Sequence, residues 1–415
     1  MAVKRKDAPV RDLRSALEFL RGMQGQLAET EVEVDPAAEL SGVYRYVGAG
    51  GTVKRPTRTN GPAVLFKNLK GHHGASAAIG VLASRERVAR LLGCAKEDLG
   101  RLLCESVASP IAPVPDESPA PCQEVVHLAS EPDFDLFRLL PAPTNTPVDA
   151  GPYITLGMCY ATHPDTGCSD VTIHRLCIQG RDELSIAGAI RGEPVRLCRC
   201  VSVAERAIAH AEFVIEGEIV PGVRVQEDQH SGTGFAMPEF PGYNGVASSE
   251  CWLLKVKALT HRRAPILQTC IGPSEEHVNM AGIPTEASIL GMLERAMPGR
   301  VKNVCAHRSG GGKYMAILQM CKKAPTDEGR QRQAALLAFS AFPELKHVVL
   351  AVREAPLSAV HLRNMYELAR FGAVVFPPVP AWYAKPQSLE EAERQIAARI
   401  LAQFGVEAPG APCWG

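Results

Sequence analysis

One arginine and several glutamates stand out in a polar half of the chain that is rich in glycine and proline. Arg175 lies in DVTIHRL, Glu216 lies in EFVIEGEI, and Glu227 and Glu239 lie in QEDQHSGTGFAMPEFPGYNG. A guanidinium group can hold a carboxylate through two parallel hydrogen bonds, and a glutamate whose pKa is raised by burial or by a like charge can donate a proton. Together these residues suggest a site that binds a carboxylate and moves a proton, although each one alone is more typical of a surface ion pair.

Short strands and turns must position these residues. Between residues 151 and 322 the chain contains many short β-like runs separated by Gly and Pro turns, which favours a barrel or a sandwich. Strand alternation in DVTIHRL places Asp170, Thr172 and His174 on one face and Arg175 on the other. A local twist is therefore needed to bring both groups to the rim of one pocket.

Helices are predicted on both sides of this region. Ser84 is a plausible N-cap for RERVARLLG, and Gly93 is a plausible stop. The segment at 106–122 is rich in Pro and Ser and is a predicted domain boundary. The apolar spacing predicts helices at 11–30, 75–103, 284–296, 326–341, 358–370 and 388–404, and strands at 62–69 and 347–352.

Length and composition describe an ordinary globular protein of two or three domains. The 415 residues carry 45 basic and 45 acidic side chains, a formal net charge of +0, which argues against a nucleic-acid or membrane-surface role. We find no signal peptide and no apolar run long enough to span a membrane. The 13 scattered cysteines, including Cys198 and Cys200 on one buried strand face, predict a reduced, cytoplasmic protein without a zinc site.

Three further motifs carry weaker signals. SGGGK at 309–313 has glycines and a lysine but lacks the spacing of a phosphate-binding loop. His72 and His73 could be metal ligands, but the sequence places no carboxylate beside them. GAGG at 48–51 is more typical of a turn than of a nucleotide loop.

From about residue 10 to about residue 350 the chain resembles the UbiD family of reversible decarboxylases, most of all the branch that acts on hydroxybenzoates. The resemblance is carried by RDLRSALEFL, GPAVLFKNLKG, RLLPAPTNTPVDAGPYIT, the Arg175 strand, DELSIAGAIRGEPV, AEFVIEGEI and MPEFPGYNG. It implies an α+β fold with an N-terminal α/β segment (1–110) and a split β-barrel domain of the flavin-reductase type (111–350). A short α/β tail (351–415) follows.

The resemblance implies non-oxidative decarboxylation of an aromatic or α,β-unsaturated acid with prenylated FMN, a divalent metal (Mn²⁺ or Mg²⁺) and often K⁺. It implies that Arg175 holds the substrate carboxylate, that Glu239 donates the proton and that Glu227 tunes both. The cofactor-binding residues implied are Asp170, Thr172, Ile173, His174 and Arg175, and the metal ligands implied are Asp170 and Glu183. A flavin prenyltransferase would supply the cofactor, and a homo-oligomer is a further expectation.

The sequence departs from the family at two places. Arg175 and Glu183 are only eight residues apart, whereas the family has a longer stretch there that contains a histidine metal ligand. From about residue 351 the chain resembles the end of UbiX, the flavin prenyltransferase, through REAPL and PAWY, and no C-terminal part of UbiD is recognised. The prenyl-phosphate-binding residues of UbiX fall on Arg353, Glu354 and Tyr383, although a cap on the UbiD-like part is the favoured role of this tail.

These departures leave two other functions open. The chain could be a non-catalytic remnant of a deletion and fusion between UbiD and UbiX, or an accessory protein that carries prenylated FMN. Metal-dependent flavin retention would separate the remnant from the other two functions, and CO2 release would separate the decarboxylase from the carrier.

Overall fold

The computed structural model of the chain describes a set of segments that form two compact units. The larger unit contains residues 4–96 and 106–279, and the smaller contains residues 97–105 and 280–415. The candidate residues of the Arg175 region all belong to the larger unit. The residues described are 10–49, 60–162, 165–167, 169–184, 196–239, 242–327, 329–342, 347–352, 356–370, 373–380, 382 and 385–402.

Helices and strands follow one another irregularly along the chain. The first third contains α1 (Leu13–Arg21), β1 (Leu27–Thr30), α2 (Glu39–Val47), β2 (Ala63–Phe66), β3 (Ser76–Ile79), α3 (Arg85–Leu91), α4 (Leu99–Ala108), β4 (Val114–Pro115), β5 (Val125–Leu128) and α5 (Leu136–Leu139). The middle contains β6 (Tyr153–Thr162), β7 (Ser169–Gly180), β8 (Glu183–Leu184), β9 (Arg196–Arg199), β10 (Arg206–Ile208), β11 (Phe213–Val225), β12 (Phe235–Pro238), β13 (Asn244–Val246), β14 (Cys251–His261) and β15 (Ile266–Thr269). The last third contains α6 (Glu275–Ala296), β16 (Val301–Ala306), β17 (Met315–Met320), α7 (Arg330–Ala341), β18 (His347–Ala351), α8 (Ala359–Arg370), β19 (Val374–Phe376) and α9 (Leu389–Ala402).

A four-stranded mixed sheet with the order β1-β2-β3-β15 forms one layer of the larger unit. The strand β2 is buried at all four positions, as expected of a strand that is covered on both faces. Ala63 and Leu65 share a core cluster with α1, whereas Val64 and Phe66 share another with α2. The strand β15, which follows the predicted boundary near residue 110 in the sequence, pairs with β3 in this sheet.

The strands around Arg175 form a second, antiparallel sheet with the order β11-β14-β8-β7-β6, and β5 pairs with β14 as well. Its inner face is held by a core cluster that includes Ile154, Leu176, Val256 and Leu259. Among the described residues β11 and β6 do not pair with each other, so no closed barrel is seen. The prediction of a mixed helix and sheet fold is confirmed at this coarser level.

The smaller unit contains a sheet with the order β16-β17-β18-β19 and the helices that cover it. Leu318 of β17 packs with Ala334 and Ala338 of α7 and with Leu368 of α8. SGGGK at 309–313 connects the antiparallel strands β16 and β17, and Gly311 adopts a left-handed φ of 61° there. The motif is therefore a hairpin turn in this structure.

Two helix predictions need correction. The helix predicted at 11–30 ends at Arg21, because the backbone turns after Gly22 and Gly25 takes a φ of 71°, and β1 then follows. The region at 75–103 contains β3, α3 and the start of α4. Ser84 does cap α3, since its side chain accepts a hydrogen bond from Arg87 N. No helix in the described part of the chain has the length and apolar character needed to cross a bilayer.

Candidate active site

Arg175 lies on β7 at a β-bulge. The strands β6 and β7 pair up to Ile154 and again from Gly157, so two residues of β6 oppose the single residue Arg175. A bulge of this kind bends a strand and re-aims a side chain. Gly157 fits closely beside it, because a Cβ atom there would lie 3.0 Å from the backbone oxygen of His174. The bulge supplies the local bend that the strict alternation of DVTIHRL lacks.

The Arg175 guanidinium joins the two candidate glutamates. Its Nε and Nη2 atoms donate to the two carboxylate oxygens of Glu227 at 3.0 and 3.1 Å, and its Nη1 atom donates to Glu239 Oε1 at 3.1 Å. The contact with Glu227 is the bidentate fork that fixes both groups in one plane. The structure thus brings together the three residues that the sequence singled out, and the arginine is engaged by both acids.

Glu227 is the buried member of this network. Its side chain is 2 % exposed, and its carboxylate also accepts hydrogen bonds from the Tyr153 hydroxyl at 2.9 Å and from Ser248 N at 3.0 Å. Its backbone is fixed by Gln179, whose Nε2 donates to the Glu227 carbonyl at 2.9 Å. All four of these hydrogen bonds, two from Arg175 and one each from Tyr153 and Ser248, place a donor against a carboxylate oxygen.

Glu239 is more accessible, with 27 % of its side chain exposed. It follows β12 directly, and its backbone N–H donates to Tyr243 O in the turn before β13. Close neighbours are glycines: a Cβ atom on Gly245 would lie 3.0 Å from Glu239 Oε1, and one on Gly272 would lie 2.9 Å from Glu239 O. This acid therefore has the access to solvent and substrate that Glu227 lacks.

The charges of the network favour a cationic Arg175. Burial lowers the pKa of the guanidinium, but attraction and hydrogen bonding by Glu227 outweigh that effect and leave the pKa of Arg175 above its ordinary value. One cation faces two carboxyl groups, so a proton on Glu239 leaves a neutral ion pair between Arg175 and Glu227. This arrangement can hold a proton beside a carboxylate-binding group.

Thr172, Ile173 and His174 precede the bulge on β7 and were predicted to contact a cofactor. The Nδ1 atom of His174 is buried and has no hydrogen-bond partner among the described residues. Burial, helped by the nearby Arg175, lowers the pKa of His174 to about 4, so the imidazole is neutral at pH 7. A neutral ring with an unsatisfied buried nitrogen fits a polar edge of a bound planar ring system such as a flavin.

The two predicted metal ligands are not brought together. Asp170 lies near the start of β7, opposite Ala161, whereas Glu183 pairs with Gly180 at the far end of the same strand. Asp170 and Gly180 are ten residues apart along β7, which corresponds to roughly 30 Å at about 3.3 Å per residue. The Glu183 carboxylate instead contacts Lys255 Nζ at 3.2 Å. Residues close in sequence diverge here because they follow an extended strand, so the pair does not fit one metal ion.

Glu216, the remaining acid of the sequence motif, lies apart from the Arg175 network on β11. It is 2 % exposed, and its carboxylate accepts hydrogen bonds from Val201 N, Ser202 N and Ser202 Oγ at 2.7 to 3.0 Å. In this structure the side chain holds the 201–202 turn. No cluster of three or more His, Cys, Asp or Glu side chains in the described segments is arranged to hold a metal ion.

Sequence reasoning missed the residues that support Glu227. Gln179 could have been found, because it lies four positions after Arg175 on the same strand and so faces the same side. Tyr153 and Ser248 carried no usable signal, since a distant tyrosine and a backbone N–H reach the site only through the tertiary fold. The UbiX-like residues Arg353, Glu354 and Tyr383 lie outside the described residues.

Family models match most of the chain. The N-terminal domain of 3-octaprenyl-4-hydroxybenzoate carboxy-lyase matches residues 20–107, its Rift-related domain matches 114–186 and 179–275, and its C-terminal domain matches 278–370. The Rift-related match is divided where the sequence predicts a shortened interval. The prediction that the C-terminal part of UbiD is missing is wrong, because that domain is matched up to residue 370.

Curated relatives and solved structures agree with the family models. The gallate decarboxylase of Lactiplantibacillus plantarum is 46% identical over 395 residues, covering 82% of this chain and 80% of the relative. The apo structure of 3,4-dihydroxybenzoic acid decarboxylase from Enterobacter cloacae has a TM-score of 0.78 at 46% identity and covers 87% of this chain and 85% of that one. The UbiD-class enzyme HmfF from Pelotomaculum thermopropionicum, in an evolved dimeric form in complex with prFMN, has a TM-score of 0.71 at 28% identity and covers 87% and 90%.

A short stretch is similar to a second family. Over 71 residues the chain is 48% identical to a probable UbiX-like flavin prenyltransferase from a Streptomyces species, which covers 17% of this chain and 36% of the relative. Because the similarity covers so small a part of the chain, a UbiX-like role of the tail stays a prediction. The three domain matches and the relatives that span most of the chain decide the assignment: the chain belongs to the UbiD family of carboxy-lyases.

Proposed function

We propose that this protein is a non-oxidative, reversible decarboxylase of a hydroxylated aromatic acid, and that it uses prenylated FMN. The support for the substrate class is the 46% identity, over more than four fifths of the chain, to a gallate decarboxylase and a 3,4-dihydroxybenzoic acid decarboxylase. The support for the cofactor is the structural similarity to a UbiD-class enzyme in complex with prFMN. The remnant and carrier alternatives are not favoured by these similarities.

The observation that carries this proposal is the Arg175 guanidinium held between buried Glu227 and accessible Glu239. A substrate carboxylate that binds at Nη1 would take the place of Glu239 Oε1. Glu227 keeps the guanidinium in position during this exchange, because it occupies the other edge of the fork. The displaced Glu239 then stands beside the substrate and can deliver its proton to the ring carbon that loses CO2.

The described residues fit a flavin next to this acid network. Thr172, Ile173 and the neutral His174 lie on the β7 segment that leads into the bulge, and the unsatisfied His174 Nδ1 offers a polar contact. When bound, prenylated FMN supplies the electron sink for the electrons of the breaking C–C bond. The protein binds and orients the acid through Arg175 and stores the proton on Glu239.

Further parts of the assignment are proposals that follow from the family. A divalent metal (Mn²⁺ or Mg²⁺) and K⁺ would accompany the cofactor, although Asp170 and Glu183 do not fit a shared ion and no step is assigned to it. We also propose that the sheet containing β6 and β7 belongs to a split barrel, that a flavin prenyltransferase supplies the cofactor and that the chain forms homo-oligomers. The odd number of scattered cysteines in the sequence, 13, supports a reducing compartment such as the cytoplasm.

The test is CO2 release by the full chain after co-expression with an active flavin prenyltransferase and supply of Mn²⁺. We expect turnover of 3,4-dihydroxybenzoate or gallate by the wild type. We expect a loss of at least about 100-fold in Arg175→Lys and Glu239→Gln, since each removes a group that acts in the transition state. Glu218→Gln is the matched control, because Glu218 is a surface glutamate on β11 with 66% of its side chain exposed.

Three outcomes separate the functions. Turnover that falls in both site variants but not in Glu218→Gln supports the decarboxylase. Flavin absorbance in the purified protein without CO2 release or exchange with any acid would identify a carrier. A colourless, flavin-free protein under the same conditions would identify a remnant and refute the proposal.

A further inference from the structure

Two histidines on neighbouring strands meet head to head, away from the Arg175 network. His127 of β5 pairs with Leu259, and His261 of β14 pairs with Val125, so the two histidines are diagonal neighbours on one face of the sheet. Their Nε2 atoms are 3.2 Å apart and their ring centres are 5.3 Å apart. We propose that His127 and His261 bind a divalent transition-metal ion of the Zn²⁺, Ni²⁺ or Cu²⁺ type between their Nε2 atoms.

The spacing of the two nitrogens already matches that of two ligands on one ion. Imidazole nitrogens lie about 2.0–2.1 Å from Zn²⁺, so two of them are roughly 3.4 Å apart around a tetrahedral ion and roughly 2.9 Å apart at a right angle. The observed separation of 3.2 Å lies between these values. The separation of the two nitrogens therefore needs little change, and each ring turns so that its Nε2 lone pair points at the ion.

The tautomer of His261 is fixed in the form that ligation needs. Its Nδ1 atom donates to the Arg262 carbonyl at 2.8 Å, which leaves the Nε2 lone pair directed at His127. A backbone carbonyl on the second ring nitrogen is the usual partner of a metal-ligating histidine. Burial lowers the pKa of His261, and the neighbouring His127 lowers it further, so the ring is neutral and ready to ligate near pH 7.

The protons of the two histidines balance when the metal ion binds, and no other reagent is needed. In the metal-free pair His127 donates its Nε2 proton to the Nε2 atom of His261. The ion takes the place of that proton, which transfers through solvent to Nδ1 of His127. Both rings stay neutral, so the exchange releases no net proton.

The pair opens on a cleft of about 490 Å³ whose wall also carries Glu131, Asp133 and Arg138. Acidic and basic side chains both line the cleft, so its charge does not select one kind of ion. The preference among metal ions therefore comes from the two imidazole ligands. Imidazole favours Zn²⁺, Ni²⁺ and Cu²⁺ over Mg²⁺ and Mn²⁺. Since no third protein ligand is in place within the described segments, water would complete the coordination shell. The ion would add a side-chain link between the paired strands β5 and β14.

The test is metal binding by the chelator-treated full chain, titrated with Cu²⁺ and with Zn²⁺. His127→Gln and His261→Gln are the variants, because an amide preserves a hydrogen bond across the pair but is a poor ligand for these ions. His73→Gln is the matched control, since His73 lines the same cleft outside the pair. Circular dichroism establishes that all variants are folded.

We expect the wild type and His73→Gln to bind one more equivalent of Cu²⁺ than either pair variant, with nitrogen hyperfine splitting from two imidazoles in the electron paramagnetic resonance spectrum. Zn²⁺ should raise the melting temperature of the wild type and of His73→Gln more than that of the pair variants. Equal stoichiometry and equal spectra in the wild type and both pair variants would overturn the proposal, as would a wild type that binds neither ion. The readouts do not depend on decarboxylation, so the proposed function can fail independently.

Discussion

Replacing Arg175 by Met tests whether Glu227 depends on the arginine for its burial. The variant removes the two donors at 3.0 and 3.1 Å from Glu227 and leaves, among the described residues, the Tyr153 hydroxyl and Ser248 N. Removing one partner of a fully buried ion pair costs about 3–5 kcal/mol. Because 31% of the Arg175 side chain is exposed, water replaces part of the lost interaction, and we expect a loss of about 2–3 kcal/mol.

The double variant Arg175→Met with Glu227→Gln separates the charge effect from packing. The glutamine oxygen still accepts from Tyr153 or Ser248, and no charge is left unpaired. We therefore expect the double variant to recover about 1–2 kcal/mol of the loss. Arg196→Met is the control, because the exposed ion pair of Arg196 with Asp116 should contribute less than about 1 kcal/mol.

The assay is urea unfolding followed by far-UV circular dichroism and tryptophan fluorescence, with each transition fitted separately because the chain has two units. A loss in Arg175→Met no larger than in the control would refute the reasoning. So would a double variant less stable than Arg175→Met, because the cost would then come from lost packing and not from an uncompensated carboxylate.

Three other perturbations have defined outcomes. Burial raises the pKa of Glu276 to about 7, so the folded chain keeps a proton that the unfolded chain releases near pH 4.5. The free energy of unfolding should therefore fall by about 3 kcal/mol as the pH rises from 4.5 to 7. Unfolding measured across this range should show the fall in the wild type but not in Glu276→Gln. Gly272→Ala puts a Cβ atom 2.5 Å from Pro238 O and should lower turnover by displacing Glu239. Gly42→Ala is the control, because no atom lies within 4 Å of the added Cβ, and its turnover should not change. Equal turnover in the two variants would contradict a positioning role for Gly272. Tyr153→Phe removes one of four donors to Glu227 and should lower kcat about tenfold, which corresponds to about 1.4 kcal/mol; an unchanged kcat would remove Tyr153 from the network.

The sequence identified the candidate reacting groups better than the residues that support them. Arg175, Glu227 and Glu239 could be selected by residue type and by motif, and the structure brings them within hydrogen-bonding distance. Their convergence depends on the bulge opposite Arg175 and on the turn between β12 and β13, which follow from strand register and not from a local pattern. Tyr153 could not be predicted, because it is 74 residues from Glu227 and meets it only through the tertiary fold.

Regular elements were predicted from apolar periodicity, but their ends were missed where glycine turns the backbone. The strand YITLGMCYAT is β6 over its full length, although Gly157 and the bulge opposite Arg175 interrupt its alternation. The helix predicted at 11–30 failed after Arg21, because apolar residues at helical spacing continued past glycines that end the helix. Asp170 and Glu183 lie at opposite ends of β7 for a related reason, since the residues between them form an extended strand, and their role as metal ligands stays a prediction.

The shortened interval after Arg175 affects the two halves of the predicted site differently. The acid network is built from β6, β7 and the segment around Glu227 and Ser248, and residues 181–182 suffice to turn β7 into β8. The strand β8 then pairs with both β7 and β14, so the sheet remains continuous across the short connection. The Arg175 network therefore forms without the missing stretch, whereas within the described segments no set of three or more metal-ligating side chains converges. Loss of activity caused by the shortening should consequently appear first as weak retention of metal and cofactor, with the Arg175 network still formed.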